Sequence, residues 1–342
     1  MEPLHLGVDA GNSKTVALLC DVEGRVVGQA RSGNGDIYGA ESARAATDSV
    51  VGAVKEALTV AGVSVEQVAA AAFRLAGVDW PEDRAYWVEA LATRLPELTR
   101  CSILNDGFAA IRCGEPSGVG VAVIAGTGSA VAGRGPRGDE WSMSFWIQDA
   151  HGASGLVARA LRAVYRAALG LGPATTLTGR LLRFFGYPDV ESMLHDFTRR
   201  EGPRRAFGFH ASAAREVVAA ALEGDEVASA LARAEGEHLA DYALVTARMV
   251  GFPLTDQGAS REQMGVPVVL AGPVLGSEGS PVMASLLAAL PTRFPAGRPV
   301  RAVLPPVSGA TLDALADTGV AITPAVLDRL RESAPPPEFL AT

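Results

Sequence analysis

The sequence predicts an α/β protein of two lobes, with a mostly helical insertion in the second lobe. A chain of 342 residues with 48% hydrophobic and 20% charged residues is well suited to two packed domains. Strand-like apolar runs alternate with segments of helical periodicity. In addition, the order strand, glycine-rich turn, strand and second turn occurs near residue 7 and again near residue 119. This recurrence suggests that the two lobes share one topology.

The first half begins with three strand-like runs, LHLGVDA, TVALLCD and RVVGQARS, separated by the tight turns GNSK and VEG. Apolar residues at helical spacing then predict a helix over Glu41–Ala61, followed by a buried strand in AAAFRLAG. A second helix is predicted over Arg84–Leu95. It leads to the strand CSIL, which runs directly into NDGFAAIRCG.

The second half repeats this scheme in VGVAVIAGTGSAVAGR and the turn GPRGDE. Residues 153–251 have helical periodicity almost throughout, interrupted at GLGP, FGYP and EGPRR, and therefore predict the helical insertion. A short strand at Val268–Leu270 ends in AGPVLG, and a further strand and helix follow in VRAVLPPVSGATLDALADTG. The predicted boundary divides residues 1–115 from 116–342.

Composition excludes several classes of partner. With a net charge of −8 and no basic cluster among aromatics, nucleic acid is not expected as a partner. Three cysteines, Cys20, Cys101 and Cys113, form no disulfide framework and no CxxC pair, which is typical of a reducing compartment. The start of the chain lacks the pattern of a signal peptide, and no apolar run reaches the roughly 20 residues of a membrane span. We therefore expect a cytoplasmic protein without a membrane partner.

The opening stretch GVDAGNSKTVALLCD predicts a phosphate-binding hairpin. The apolar, β-branched run after Lys14 returns as a strand, whereas a P-loop would continue as a helix. Gly11 lets the backbone approach an anion, and Ser13 and Thr15 offer hydroxyl donors. Asp9 beside phosphates implies a bridging Mg²⁺. The alternative is an ordinary turn. Lys14 is one of only two lysines in the chain, which favours a phosphate contact.

A second carboxylate, Asp106 in LNDG, follows a strand and precedes a short helix. One interpretation makes it the N-cap of that helix. The other makes it the general base for an attacking hydroxyl, since a phosphate hairpin lies upstream and the turn IAGTGSA lies downstream. In that turn Thr127 and Gly128 suit a second phosphate site, although such turns also occur in loops without a ligand.

Five motifs in one order, DAGNSKT, NDGFAA, AGTGS, VVLAGPVLG and PPVSGATLDAL, resemble the N-acetylglucosamine kinase and BadF/BadG/BcrA/BcrD ATPase family of the sugar kinase, heat-shock chaperone and actin superfamily. The resemblance spans most of the chain. It implies two ribonuclease-H-like lobes of the actin-like ATPase fold, with ATP and Mg²⁺ in the cleft between them.

The resemblance also implies roles for individual residues. Asp106 would be the base and Asp9 the metal ligand. The implied nucleotide contacts are Asp9, Gly11, Asn12, Ser13, Lys14, Thr15, Gly126, Thr127, Gly128, Ser129, Gly272 and Pro273. The implied sugar contacts are Asn34, Gly77, Asn105, Asp106, Gln148 and Asp149.

The chain departs from the family pattern in three places. Asn12 and Pro273 each stand where the family usually has glycine. The segment that in the sugar kinases resembles GWGxLLGDEGSG reads SFWIQDAHGASG here, with Asp149 matched, Ala150 replacing the acidic neighbour and His151 inserted. Because this segment lines the sugar in the family, it leaves the identity of the sugar open. A lone His in a glycine-rich loop is more often a surface hydrogen-bonding residue than a catalyst.

These observations together predict ATP-dependent phosphorylation of a hexosamine at its 6-hydroxyl, with N-acetylglucosamine as the favoured acceptor. Glucosamine, or a broader range of hexoses, is the alternative acceptor. A nucleotide- or sugar-sensing protein without turnover is the non-enzymatic alternative. A BadF-type activator ATPase would need paired cysteine ligands for an iron–sulfur cluster. A homodimer is possible.

Overall fold

The computed structural model describes residues 3–200, 210–255 and 265–340, and in this part of the chain the strands form two five-stranded sheets. The strands of the first sheet are β1 Leu4–Ala10, β2 Thr15–Cys20, β3 Val26–Ser32, β4 Val68–Leu75 and β5 Cys101–Asn105. Those of the second sheet are β6 Gly120–Ala125, β7 Ser129–Arg134, β8 Glu140–Ser142, β9 Val266–Ala271 and β10 Gly297–Arg301.

The two sheets have the same topology. The strand order is β3-β2-β1-β4-β5 in the first sheet and β8-β7-β6-β9-β10 in the second. In each sheet the first three strands form an antiparallel meander, and the last two lie parallel to the first. The duplication predicted from the two glycine-rich turns is therefore confirmed at the level of topology, and each turn joins the first two strands of its sheet.

Helices lie in the connections between parallel strands of each sheet, between β5 and β6, and after β10. In the first half these are α1 Ala43–Ala61, α2 Pro81–Arg94 and α3 Ile111–Gly114. The second half contributes α4 Gly152–Ala168, α5 Leu177–Phe185, α6 Val190–Thr198, α7 Ala214–Leu222, α8 Glu226–Met249, α9 Pro273–Gly276, α10 Pro281–Arg293, α11 Pro306–Asp317, α12 Pro324–Ser333 and α13 Pro337–Leu340. Short 3₁₀ helices occur at Val65–Gln67, Asp106–Ala110 and Ser144–Trp146.

Two predicted helix boundaries shift because of capping. The helix predicted from Glu41 begins at Ala43, since the Ser42 hydroxyl accepts a hydrogen bond from the backbone N–H of Ala45. The helix predicted from Arg84 begins three residues earlier, at Pro81. Proline is favoured at the first helical position, where its missing N–H costs nothing.

Helices α4 to α8 form the predicted insertion, between β8 and β9. Their apolar faces pack into one core with the second sheet; its members include Val123, Leu156, Leu181, Val217 and Leu239. The predicted interruption EGPRR lies outside the described residues.

Helix α11, the third from last, returns to the first sheet. Helix α11 packs on β1 so closely that a Cβ on Gly7 would lie 2.2 Å from the backbone nitrogen of Thr311. Glycine is thus required at position 7 by close approach of the two backbones. The boundary at residues 115 and 116 remains a prediction. The contact shows that α11, although late in sequence, belongs to the packing of the first sheet.

Candidate active site

A cavity of about 420 Å³ lies between the two sheets, at the ends of β1, β5 and β6. Twelve of the predicted site residues line it: Asp9, Gly11, Asn12, Ser13, Lys14, Gly77, Asn105, Asp106, Gly126, Thr127, Gly128 and Ser129. Tertiary structure therefore brings together two glycine-rich turns and two strand-end carboxylates that are up to 120 residues apart in sequence.

The first turn is a tight hairpin. The backbone N–H of Gly11 donates to the carbonyl of Lys14 at 2.9 Å, and the Asn12 amide donates to Asp36 Oδ2 at 2.5 Å. Asp36 is buried, so this bond anchors the tip of the turn to the chain after β3. The Lys14 ammonium donates to the carbonyl of Leu340 in α13. Burial lowers the pKa of Lys14, and the nearby Arg31 lowers it further.

The second turn is braced by the start of α4. The backbone N–H groups of Ala153 and Ser154 donate to the carbonyls of Gly126 and Thr127, each at 2.9 Å. Gly152 has a φ of +69°, and a Cβ there would lie 2.2 Å from the Gly128 carbonyl oxygen. Only glycine fits this position, because both the backbone conformation and the space exclude a side chain. The helical insertion thereby fixes the shape of the second turn.

His151 lies at the centre of a buried network, and the expectation of a surface residue was wrong. Its Nδ1 lies 2.8 Å from Glu235 Oε2, and its Nε2 lies 3.2 Å from the Tyr242 hydroxyl. Glu235 also accepts hydrogen bonds from the backbone N–H of Gly152, at 2.7 Å, and from the Arg159 guanidinium. These partners hold the pKa of Glu235 below its usual value despite burial. His151 thus joins the altered segment to helix α8.

Asp106 is partly buried at the edge of the cavity, and the capping role belongs to its neighbour. The Asn105 side chain accepts from the backbone N–H of Gly107 at 2.9 Å and so caps the 3₁₀ helix Asp106–Ala110. The Asp106 carboxylate is therefore not needed as a cap. Burial raises its pKa to about 7, and the carboxylates of Asp9 and Asp79 raise it in the same direction. A carboxylate poised near neutral pH suits proton abstraction.

Asp79 also lines the cavity and was missed in the sequence analysis. Its Oδ1 accepts from the Asn105 amide at 2.9 Å, and its carboxylate is hydrogen-bonded to the Ser144 side chain. Ser144 has a φ of +41°, an uncommon conformation for a residue with a side chain, and such strain is often found at functional sites. A signal was present: Asp79 follows a strand parallel to β1, and ligands bind beyond the carboxyl ends of such strands.

Six predicted residues lie outside the cavity. Thr15 is fully buried in β2, and its hydroxyl donates to the Gly33 carbonyl at 3.0 Å, so it is already engaged. Asn34 accepts the backbone N–H of Asp36 at 2.8 Å in a local turn. Gln148 is exposed and donates to the Phe145 carbonyl at 2.6 Å, and Asp149 is exposed beside it.

The remaining two, Gly272 and Pro273, lie beside the second turn. Gly272 has a φ of +91°, and a Cβ on it would lie 2.4 Å from the Ala125 carbonyl oxygen. The Pro273 ring lies 4.0 Å from the Cβ position of Gly126. These two implied nucleotide contacts therefore lie against the end of β6 and the second turn, although they do not line the cavity itself.

Asp9 is the one predicted metal ligand, and the cysteines lie in apolar surroundings. In the described residues no group of three or more His, Cys, Asp and Glu side chains is arranged to hold a metal. Asp9 is partly exposed to the cavity; burial raises its pKa to about 6, and Lys14 opposes the shift. A single carboxylate suits an ion that is shared with phosphates and water. Cys20 and Cys113 are buried in one apolar cluster, and burial raises the pKa of both thiols, so neither resembles a cluster ligand.

Comparison with known families identifies the family of this chain. The model of the BadF/BadG/BcrA/BcrD ATPase family matches residues 6–312, which is most of the chain. The chain belongs to this family. As a BadF/BadG/BcrA/BcrD family protein it contains both glycine-rich turns, both strand-end carboxylates and the first half of helix α11 within the matched region. The family resemblance predicted from the five motifs is thus confirmed.

One curated relative is the N-acetylmuramic acid/N-acetylglucosamine kinase of Clostridium acetobutylicum, which is 25% identical over 239 residues, covering 68% of this chain and 76% of that protein. A candidate N-acetylglucosamine kinase from Chromobacterium violaceum has a similar structure, with a TM-score of 0.64, 23% identity and coverage of 92% and 99% of the two chains. The ROK-family glucokinase of Streptomyces griseus, solved with glucose and AMPPNP, gives a TM-score of 0.54 at 17% identity, covering 91% and 98%.

These likenesses confirm the predicted two-lobed α/β fold, and the sugar kinases among the relatives agree with the predicted class of enzyme. The described helices include none that is long and apolar enough to cross a membrane. The possible homodimer remains a prediction.

Proposed function

We propose that this BadF/BadG/BcrA/BcrD family protein transfers the γ-phosphoryl group of ATP to the 6-hydroxyl of a hexosamine, with N-acetylglucosamine preferred. The observation that carries the proposal is the position of Asp106, whose pKa is raised to about 7, in one cavity with both glycine-rich turns. Such a cavity can place a hydroxyl, a base and a triphosphate together. Positioning and charge stabilisation supply most of the catalysis in phosphoryl transfer.

In the proposed reaction the oxygen of the sugar hydroxyl attacks the γ-phosphorus, and its proton passes to Asp106. A new O–P bond forms while the bond from the γ-phosphorus to the β,γ-bridging oxygen breaks, so ADP leaves. The backbone N–H groups of the two turns and the hydroxyls of Ser13 and Thr127 are suited to hold the phosphates. Lys14 would move from the Leu340 carbonyl to phosphate oxygens.

Mg²⁺ would be held by Asp9 together with phosphate oxygens and water, and when bound it neutralises phosphate charge. The fit is supported by the exposure of this carboxylate to the cavity beside the first turn. On the acceptor side, Asp79 and Asn105 offer carboxylate and amide groups for vicinal hydroxyls. A site built from such groups rejects a sugar that lacks one of them.

The acceptor is tested by measuring sugar-dependent ADP release with N-acetylglucosamine, glucosamine, glucose and N-acetylmannosamine, with a reaction without sugar as control. The proposal expects the highest kcat/KM for N-acetylglucosamine. If glucosamine is the best substrate, the proposed acceptor becomes the free amino sugar and not the N-acetylated one. A clear preference for glucose would overturn the amino-sugar assignment. If no ADP is released, the result favours a sensing protein. If ADP is released at the same rate with and without sugar, it favours an activator ATPase.

A further inference from the structure

A second cavity, of about 440 Å³, adjoins the proposed acceptor site. It shares Asp79, Asn105 and Ser144 with the first cavity, so the two spaces meet at these side chains. No residue of either glycine-rich turn lines it. The second cavity therefore extends the acceptor end of the site and not the phosphate end.

The second cavity is rich in tryptophan. Three of the four tryptophans in the chain line it: Trp80 from the loop after β4, Trp141 from β8 and Trp146 from the 3₁₀ helix that follows. The fourth, Trp87, is fully buried in the first core. Trp146 is 67% exposed and Trp80 is 43% exposed, which is unusual for side chains this large. Exposed aromatic faces in a concave site are typical of ligand contacts.

The two cavities are each lined by one ring of a stacked aromatic pair. The rings of Trp80 and Phe145 lie 6.2 Å apart and nearly parallel, at 9°, and Tyr38 packs edge-on against Phe145 at 5.4 Å. Phe145 lines the first cavity and Trp80 the second. A ligand that spans the boundary at Asp79 would therefore meet Phe145 in the first cavity and Trp80 in the second.

The charges of the lining favour a neutral occupant. Two carboxylates, Asp79 and Glu140, and one guanidinium, Arg84, line the second cavity. Glu140 is paired with Arg134 at 2.8 Å, whereas Arg84 is exposed and has no ion pair among the described residues. The charges of the lining residues are thus nearly balanced, which does not suit an anion. Arg84 offers several N–H donors to hydroxyl groups. Aromatic faces beside a multiple donor suit a second sugar ring.

We propose that the second cavity is a subsite for the second ring of a β-linked disaccharide or glycoside, so that the preferred acceptor is larger than one hexosamine. This inference rests on the proposed function for the first ring. It assigns the tryptophan-lined cavity to a neutral pyranose that stacks on Trp146 or Trp80 and accepts hydrogen bonds from Arg84.

The test compares kcat/KM for three acceptors: N-acetylglucosamine, its methyl β-glycoside and its β1,4-linked dimer. The methyl glycoside controls for loss of the free anomeric hydroxyl. The dimer should exceed it by about tenfold, the order of one aromatic contact. Trp146→Ala should reduce this ratio toward one. Leu169→Ala removes another exposed apolar side chain, at the far end of α4, and should leave the ratio unchanged.

Several outcomes would overturn the subsite. One is a dimer no better than the methyl glycoside. Another is a Trp146→Ala variant whose KM changes for ATP and not for the dimer, because the cavity would then serve the nucleotide base. A third is a higher kcat/KM for N-acetylmuramic acid than for the dimer, which would indicate an anionic substituent.

If no hexosamine is phosphorylated, the proposed function fails, and calorimetric titration of the protein with the dimer and the methyl glycoside decides the subsite separately. Dimer binding about tenfold tighter than that of the methyl glycoside, and weakened by Trp146→Ala, supports it. Equal affinities overturn it.

Discussion

Asn105 Nδ2 donates a hydrogen bond of 2.9 Å to Asp79 Oδ1 and so joins the ends of two neighbouring parallel strands beside Asp106. The same amide side chain caps the 3₁₀ helix that begins with Asp106. One residue therefore positions both carboxylates on the acceptor side of the cavity. The Asp79 carboxylate keeps further acceptor capacity for the hydroxyls of a ligand.

Asp79→Ala is expected to raise KM for the sugar at least tenfold, with little change in KM for ATP. The reason is that a polar site loses discrimination and affinity when one hydrogen-bonding group is removed. Steady-state kinetics with each substrate varied in turn will measure this. Asp139→Ala, in an exposed turn, is the matched control. Equal changes in both KM values would contradict a role confined to the acceptor.

Asp106→Asn should leave nucleotide binding nearly intact and lower kcat by roughly 10²–10⁴-fold, the usual contribution of a general base. Asparagine keeps the size of the side chain but cannot take up the proton. Calorimetry with AMPPNP and a coupled ADP assay measure the two effects separately. Activity within a few-fold of the wild type would remove Asp106 from the mechanism.

The pH profile of kcat/KM should report the same group. Because burial and neighbouring carboxylates raise the pKa of Asp106 to about 7, the base is protonated and inactive below that value and deprotonated above it. We therefore expect kcat/KM for the sugar to rise tenfold per pH unit below about pH 7 and to level off above it. A flat profile from pH 5 to 8 would mean that Asp106 titrates elsewhere or does not act as the base.

Lys14→Ala should raise KM for ATP without unfolding the protein, since Lys14 lines the cavity at the first turn and its ammonium can reach phosphate oxygens there. Lys55→Ala provides a matched control, because Lys55 is the other lysine of the chain and is exposed on α1. Kinetics at saturating sugar, with thermal melts of both variants, will separate binding from stability. If both variants behave alike, Lys14 does not bind phosphate, and its hydrogen bond to the Leu340 carbonyl is structural only.

Asp313→Asn should lower the free energy of unfolding by about 3–5 kcal/mol, the cost of breaking a buried ion pair from one side. Asp313 accepts from Arg74 at 2.6 Å, from Arg112 at 2.6 Å and from Arg134 at 3.2 Å, and is itself buried. Urea unfolding measures the change. The exposed pair of Asp328 with Arg331 is the control, and Asp328→Asn should cost less than 1 kcal/mol.

The same cluster predicts a pH dependence of stability. The three guanidinium groups hold the pKa of Asp313 well below its usual range. A carboxyl whose pKa is lower in the folded state adds stability above its unfolded pKa of about 4, and this stability is lost as the pH falls below that value. The difference in stability between wild type and Asp313→Asn should therefore shrink from pH 6 toward pH 3. A constant difference would contradict the assignment.

Local sequence patterns were sufficient for much of the fold. Apolar runs and glycine turns predicted the five strands of the first sheet and four of the second; β8, which begins inside the predicted turn GPRGDE, was missed. Helical periodicity predicted the insertion, because each of these signals depends on neighbours a few residues apart. The turn GNSK was correctly predicted as a hairpin because the residues after Lys14 are β-branched and apolar. Eleven of the twelve predicted residues in the cavity lie at the ends of β1, β5 and β6, and the twelfth, Gly77, follows β4.

Pairings across long sequence distances were decided by tertiary structure alone. His151 and Glu235 are 84 residues apart, and Arg74 and Asp313 are 239 apart, so no periodicity connects them. The sequence around His151 predicts a surface residue, because nothing local shows that helix α8 packs over it. Thr15 looks like a phosphate donor until its strand is placed between β1 and β3. The sequence determined where strands, turns and charged strand ends lie; packing decided which side chains face the cavity, because burial and partner choice depend on contacts that the folded chain alone creates.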